Sequence, residues 1–360
     1  MKKSKKIAVI CNYRLMPERI GGMDRFFWMF DAEAKKKGYE ISWFFPNYNL
    51  HNNYQNLTVI GIDNQSVEDS FLIYCQQNQI RFDVVITHFV ELCTPFYQKV
   101  KNDFGDKIIA VDHNPRPLEG YSLIKKIKKK VKGIIFSRYI DVFVGVSEYT
   151  KNQMLIDFGS QIEKKTKVIY NGIEHQLYQK RIRRNHASPT FLVASHLRYS
   201  KGIQDLIAAV SLLPDALKSK LKIDIYGEGV YKADLLSKVK SAQLEKCFNF
   251  KGSVPNLYEI YSQYDYMIQP THMECFSLSI LESLSANVPV ITTSVGGNEE
   301  VIKAGVNGYI IPPQDILSLK TILENVILGN DKIEKKVDSL IENEFSMEKM
   351  VESHLTLSKV

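Results

Sequence analysis

The chain has 360 residues, 44% of them hydrophobic and 24% charged, with a formal net charge of +7 and a pI near 8.9. That length and balance predict a globular chain of two ordinary domains and exclude a disordered, fibrous or membrane-spanning class, since no run of about 20 apolar residues occurs. The basic excess suits an acidic small ligand or an anionic membrane surface as readily as nucleic acid.

The opening Met1-Lys-Lys-Ser-Lys-Lys6 has the charge of a signal-peptide n-region. The apolar run that follows, Ile7 to Cys11, is too short for an h-region and reads as a first buried strand. Five scattered cysteines (Cys11, Cys75, Cys93, Cys247, Cys275) lack any CxxC pair, which predicts reduced thiols in a cytoplasmic protein. A helical pattern over Phe26–Lys37 follows the first strand. Val84–Thr87, Ile108–Val111 and Val142–Val146 continue the series, and Phe191–Ala194, Lys222–Tyr226, Tyr266–Gln269 and Val288–Thr292 repeat it. Short runs stripped of polar residues on both faces predict parallel sheets covered by helices. The polar, basic stretch from Tyr178 to Pro189 reads as a linker. The expected organisation is therefore two Rossmann-like βαβ domains, 1–180 and 181–344, facing each other across a cleft, with 345–360 as a C-terminal helix.

Within the first half, Leu123–Tyr139 holds Lys125, Lys126, Lys128, Lys129, Lys130, Lys132 and Arg138. Leu123, Ile124, Ile127, Val131, Ile134 and Ile135 recur there at helical spacing. Such a helix either packs its apolar stripe on the core or lies on an anionic bilayer, the peripheral reading being favoured by the one-sided charge. With little aromatic interleaving, nucleic-acid binding is disfavoured.

The most informative local feature is Glu274 and Glu282, eight positions apart in Thr271-His-Met-Glu-Cys-Phe-Ser-Leu-Ser-Ile-Leu-Glu282. If a helix starts near Phe276, one carboxylate precedes its N-terminus and the other lies two turns on. The first amides of such a helix favour an anion such as a diphosphate. Two acids for hydroxyls and a helix end for phosphate together describe a nucleotide-sugar site.

Further motifs occur in order: Gly21-Gly22-Met-Asp-Arg25, Val144-Gly-Val-Ser147-Glu148, Val168-Ile-Tyr-Asn171-Gly172-Ile-Glu174, Ser195-His-Leu-Arg-Tyr-Ser-Lys201-Gly202, Ile225-Tyr-Gly227-Glu-Gly229, Val295-Gly296-Gly297-Asn-Glu-Glu300 and Asn307-Gly308-Tyr309. With the Glu274/Glu282 pair, this ordered series resembles the retaining glycosyltransferases of family 4, which have the GT-B fold, along almost the whole chain. The resemblance implies that Glu274 holds the donor sugar and Glu282 the ribose. It implies that Lys201, with His196 or Arg198, meets the diphosphate. Gly21, Gly22, Gly227, Gly229 and the segment Cys275, Phe276, Ser277 and Leu278 would approach the nucleotide-sugar, with the base near Gly252–Pro255. His113, at a strand end, is expected beside the reacting centre, and His88 is its rival for an acceptor-side contact. The family's loop carries Arg where this chain has His196, and Asn287 replaces a usual Gly. No Asp-x-Asp pair is present, so neither metal nor cofactor is expected. The implied partners are a nucleotide-sugar donor, on uridine diphosphate, and a glycan or lipid-linked acceptor of cell-surface polysaccharide synthesis. Two other readings stand beside this one: a nucleotide-sugar epimerase of the same fold, and a non-catalytic partner subunit.

Overall fold

The structure, a computed structural model, describes residues 4–18, 20–61 and 65–359; the opening Met1-Lys2-Lys3 lies outside them. The described residues divide into two compact units, one reaching Asn171 and resuming at Met347, the other running Gly172–Ser346. In the first unit, seven parallel strands stand in the order β3-β2-β1-β4-β5-β6-β7. They are β1 (Lys5–Cys11), β2 (Tyr39–Phe45), β3 (Val59–Gly61), β4 (Phe82–His88), β5 (Gly105–Asp112), β6 (Val142–Gly145) and β7 (Thr166–Val168). In the second, six parallel strands stand in the order β10-β9-β8-β11-β12-β13. These are β8 (Phe191–Ala194), β9 (Ile223–Tyr226), β10 (Phe248–Gly252), β11 (Tyr266–Gln269), β12 (Val290–Thr293) and β13 (Gly308–Ile311).

Both orders reverse direction once, between β1 and β4 and between β8 and β11, as in doubly wound nucleotide-binding sheets. The strands form because their side chains are apolar on both faces: β8, β11 and β12 are buried at every residue. In the first unit, one core cluster joins Ile10, Phe44, Phe71, Phe82, Val85, Ile108 and Phe143. An aromatic set, Phe26, Phe27, Phe30, Trp43 and Phe45, lies under the helix Gly22–Lys36, with Trp43 and Phe45 stacked at 5.9 Å. The indole of Trp43 donates to the buried Asp31 at 2.9 Å, so the polar edge of that cluster is satisfied.

The chain leaves the first unit before the basic stretch read as a linker, and that stretch is stitched to the second unit. Arg181 pairs with the buried Asp265 at 2.6 Å, and Asp265 also takes the amides of Asn185 and Thr190. Arg184 donates to the carbonyl and side chain of Asn287. Charge there serves packing, which composition alone does not reveal. Asn287 itself adopts φ 59°, a left-handed conformation that Asn tolerates, and its amide donates to the Arg181 carbonyl at 2.7 Å. After Ser346 the chain returns, and the helix Met347–Leu357 packs on the helix Gly22–Lys36 of the first unit.

Candidate functional site

In open parallel sheets, ligands sit beyond the carboxyl ends of the strands where the order reverses. In the second unit, those ends are the loop Ser195–Lys201 after β8 and the loop Pro270–Ser277 after β11. Lys201 and Glu274, 73 residues apart in sequence, meet there: the ammonium donates to the Glu274 carboxylate at 2.7 Å, with side-chain exposures of 20% and 18%. Both remain reachable from solvent while being held in place.

The two loops are joined by several bonds. The amide of His272 and the hydroxyl of Thr271 donate to the Ser200 carbonyl, at 2.8 and 3.1 Å. The His272 imidazole pairs with Asp205 of the helix Ile203–Ser211, and Tyr199 meets it edge-on at 5.6 Å. Gly202 makes the close approach possible. It adopts φ +69°, and a Cβ there would overlap the Pro270 carbonyl oxygen. The His272–Asp205 clamp is absent from the motif reading. A His beside Glu274 and an Asp early in the next helix carry no spacing signal that ties them together.

The helix after Glu274 spans Leu278–Ser285. Ser277 caps it, accepting from the Ile280 amide at 3.4 Å, and is itself held by Gln269 at 2.7 Å. Cys275 and Phe276 are buried before the cap. Glu282 sits half-buried on the second turn and accepts from the buried Tyr261 hydroxyl at 2.9 Å. His196 and Arg198 are exposed in the β8 loop. Gly227 and Gly229 have a local reason to be glycine: a Cβ on either would overlap a carbonyl oxygen, of Ser195 or of Leu197. The Gly227 amide donates to Gly252 at 2.9 Å, which places Gly252 beside this loop.

In the first unit, Gly21 precedes the helix Gly22–Lys36 with extended backbone, φ −130°. Its amide donates to Asp24 at 2.8 Å, and the Tyr13 and Tyr54 hydroxyls donate to the same carboxylate at 2.8 and 2.7 Å. A Cβ on Gly21 would meet nothing closer than Asp24 at 3.8 Å, so packing within the chain does not require glycine there. Asp24 is a further residue the motif reading passed over.

His113 follows β5 and His88 closes β4. Their rings are hydrogen-bonded, Nδ1 of His88 to Nε2 of His113 at 2.9 Å, and Phe89 stacks on His113 at 4.3 Å. The sequence set these two histidines as rivals; the fold makes them partners. A third, His354 of the helix Met347–Leu357, lies 5.8 Å from His88 ring to ring. Burial, then the charge of His354, pushes His113 down to about 3, and burial pushes His354 down to about 4. Burial and both neighbours hold His88 well below its ordinary value. All three are therefore neutral near pH 7. Among the described residues, no group of three His, Cys, Asp or Glu side chains could hold a metal ion.

The matched families agree with this architecture. Residues 20–177 match the model of Glycosyltransferase Family 4, and residues 175–347 match Glycosyl transferases group 1. An N-acetyl-alpha-D-glucosaminyl L-malate synthase of Bacillus anthracis is 28% identical over 206 residues, covering 54% of this chain and 53% of that one. The chain thus spans about half the length, or less, of the curated relatives it matches. Among solved structures, Anabaena Alr3699/HepE in complex with UDP superposes with a TM-score of 0.76 at 17% identity, covering 99% of this chain and 100% of that one. The apo lipopolysaccharide outer core galactosyltransferase WaaB superposes with a TM-score of 0.72 at 18% identity, with 98% of each chain covered. At such identities the likeness establishes the fold. Two doubly wound parallel domains of this order define the GT-B class. Together the family matches extend from residue 20 to residue 347, and the chain belongs to the family 4 glycosyltransferases.

Proposed function

We propose that the protein transfers a hexose or N-acetylhexosamine from a nucleotide-sugar, with uridine diphosphate as the carrier, to a hydroxyl of a saccharide or lipid-linked acceptor. The observation that carries this reading is the Lys201–Glu274 pair at the strand-order reversal of the second unit. Lys201 supplies a fixed cation to the diphosphate, and the capped start of the helix Leu278–Ser285 supplies amide dipoles. Glu274 accepts from hydroxyls of the sugar, and Glu282 from those of the ribose. Each side chain is already held by its partner, Lys201 and Glu274 by one another and Glu282 by Tyr261, so little ordering is left for the moment of binding.

In the reaction, the acceptor oxygen bonds to the anomeric carbon as the bond from that carbon to the phosphate oxygen breaks. The electron pair leaves with the nucleoside diphosphate, and the acceptor proton passes to a phosphate oxygen on the same face, with retention of configuration. His113 is neutral, held by His88, and suits contact with the sugar rather than charge stabilisation. Gly21 has no packing reason to lack a side chain, which supports a ligand in front of it. Its own amide is spent on Asp24, so an anion there would meet the amides that follow. No resident metal is part of this reading, because Lys201 takes the place of a divalent ion. The names of the neighbours support the donor class: HepE was solved with UDP, and the Bacillus anthracis relative is named for an N-acetylglucosaminyl group. The five free, buried cysteines suit a cytoplasmic location.

The test is turnover of UDP-sugars with saccharide and lipid-linked acceptors in excess EDTA, with the product anomer read by NMR. Retained configuration and full activity in EDTA are expected. Lys201→Met and Glu274→Ala should each lower kcat by about 100-fold or more while leaving Tm nearly unchanged. Activity lost in EDTA and restored by a metal, an inverted product, or normal turnover in either variant would refute the assignment.

A further inference from the structure

The helix Leu123–Phe136 turns its apolar stripe away from the protein. Leu123, Ile124, Ile127, Val131, Ile134 and Ile135 are 77, 68, 63, 47, 71 and 44% exposed. An ordinary surface helix does the reverse, burying the stripe and solvating the lysines. The reason lies on the other face. Gly133 is buried against the end of the helix Glu148–Phe158, where a Cβ would overlap the Phe158 carbonyl oxygen. Lys129, one turn earlier, points inward: its ammonium pairs with Asp157 at 2.9 Å and lies over the rings of Tyr121 and Phe158. Lys132 pairs with Glu91 at 2.6 Å.

The anchor is a buried charge network. Arg116 bridges Asp157 and Asp112, at 2.8 and 2.7 Å. Burial opposes its charge, but the two carboxylates outweigh burial and hold the guanidinium above its ordinary value. The inward Lys129 and Gly133 thus fix which way the helix faces, while the Lys132–Glu91 pair is solvent-exposed and adds little.

The exposed face joins six aliphatic side chains to exposed lysines at 125, 126, 128 and 130. The helix contains no acidic residue. Its 14 residues reach about 21 Å, too short to cross a bilayer and suited to lying in its plane. We propose that this face docks on a bilayer rich in anionic lipid, the aliphatic stripe entering the acyl boundary and the lysines meeting the phosphates. A second copy of the chain is a poor occupant. A symmetric contact would set the lysine face against itself, with no carboxylate of the helix to offset the repulsion. The aliphatic stripe also gives bases nothing to stack on. The proposal concerns the first unit alone and is independent of the donor reading.

The test is co-flotation of the full chain with phosphatidylcholine vesicles, with and without phosphatidylglycerol. The parent protein and Ile127→Ser/Ile134→Ser, changed at two exposed positions, are compared, with Tm and circular dichroism as checks on folding. Binding to the phosphatidylglycerol vesicles is expected, weakened by salt and reduced about tenfold or more in the variant. Equal binding to neutral vesicles, undiminished binding of the folded variant, or no binding by the parent protein would overturn the proposal. So would a dimer of the parent protein that the variant loses without any vesicle binding, since the stripe would then serve a second copy.

Discussion

Glu282, the residue proposed to meet the ribose, also has a structural partner. Its carboxylate accepts from Tyr261, whose hydroxyl is fully buried and stays protonated because burial and the nearby carboxylate raise it. Replacing Glu282 with Ala removes that acceptor and leaves the hydroxyl only its bond with Ser279, at a cost of about 0.5–1.5 kcal/mol. Gln keeps an acceptor in place, so the two variants separate packing from ligand contact. The three histidines of the first unit make a different kind of prediction. His354 is almost fully buried and held neutral, down to about 4, by burial. In the unfolded chain it takes up a proton below about 6.5. The unfolded state then binds more protons than the native state, so stability falls as pH drops from about 6.5 toward 4, by at most about 1.4 kcal/mol per pH unit for this one group. His354→Phe, beside Phe26 and Phe30, removes the titration. Urea unfolding between pH 7 and 5 should show a shallower pH slope in the variant. An unchanged slope would mean that His354 is not the group responsible.

At the scale of elements, the buried parallel strands were readable because each is built around a short run of mostly apolar residues, with polar ones such as Lys5, Asp83 and Gln269 near the ends. The five strands the periodicity did not single out are β2, β3, β7, β10 and β13. Four of these are edge strands: β7 and β10 admit polar residues at exposed positions, as in Phe-Asn-Phe-Lys-Gly of β10, whereas β3 and β13 are short apolar runs that end or begin on Gly. β2 is interior, but its opening Tyr-Glu-Ile-Ser mixes polar with apolar residues. The helix Leu123–Phe136 was readable as amphipathic and unreadable in direction. Periodicity fixes which residues share a face, not which face meets the protein, and the deciding contact, Gly133 on Phe158, joins two helices. Lys201 and Glu274 were legible as donor-site candidates only through motifs, whereas their pairing and the His272–Asp205 clamp needed the fold. Gly202 sets the approach of those two loops. In Gly202→Ala, the left-handed backbone and the overlap with Pro270 both oppose the native arrangement. A loss of about 1–3 kcal/mol in denaturant unfolding is expected, together with weaker donor binding. A variant as stable as the parent would show that the loops do not depend on this approach.

At the scale of the molecule, the same strand order appears twice, and the charge is distributed by role. In the second unit, cations are few at the proposed donor site and individually held, as Lys201 is by Glu274. In the first, they are massed on one exposed helix with no acid among them. The basic excess of the chain lies in the first unit, to which the candidate lipid surface belongs, and not in the unit of the candidate diphosphate site.

The central claim is that the second unit binds a nucleoside diphosphate at Lys201, Glu274 and Glu282. Thermal unfolding with UDP tests it most directly, using GDP, ADP and CDP for comparison, EDTA throughout, and Glu282→Gln and Glu282→Ala as controls. UDP at 100 times its dissociation constant should stabilise the folded protein by about 2.7 kcal/mol. The stabilisation should shrink in Glu282→Ala beyond any loss of that variant's own stability and be better kept in Glu282→Gln. No stabilisation by any of the four nucleotides, or an equal effect of UDP on the parent protein and on Glu282→Ala, would contradict the account.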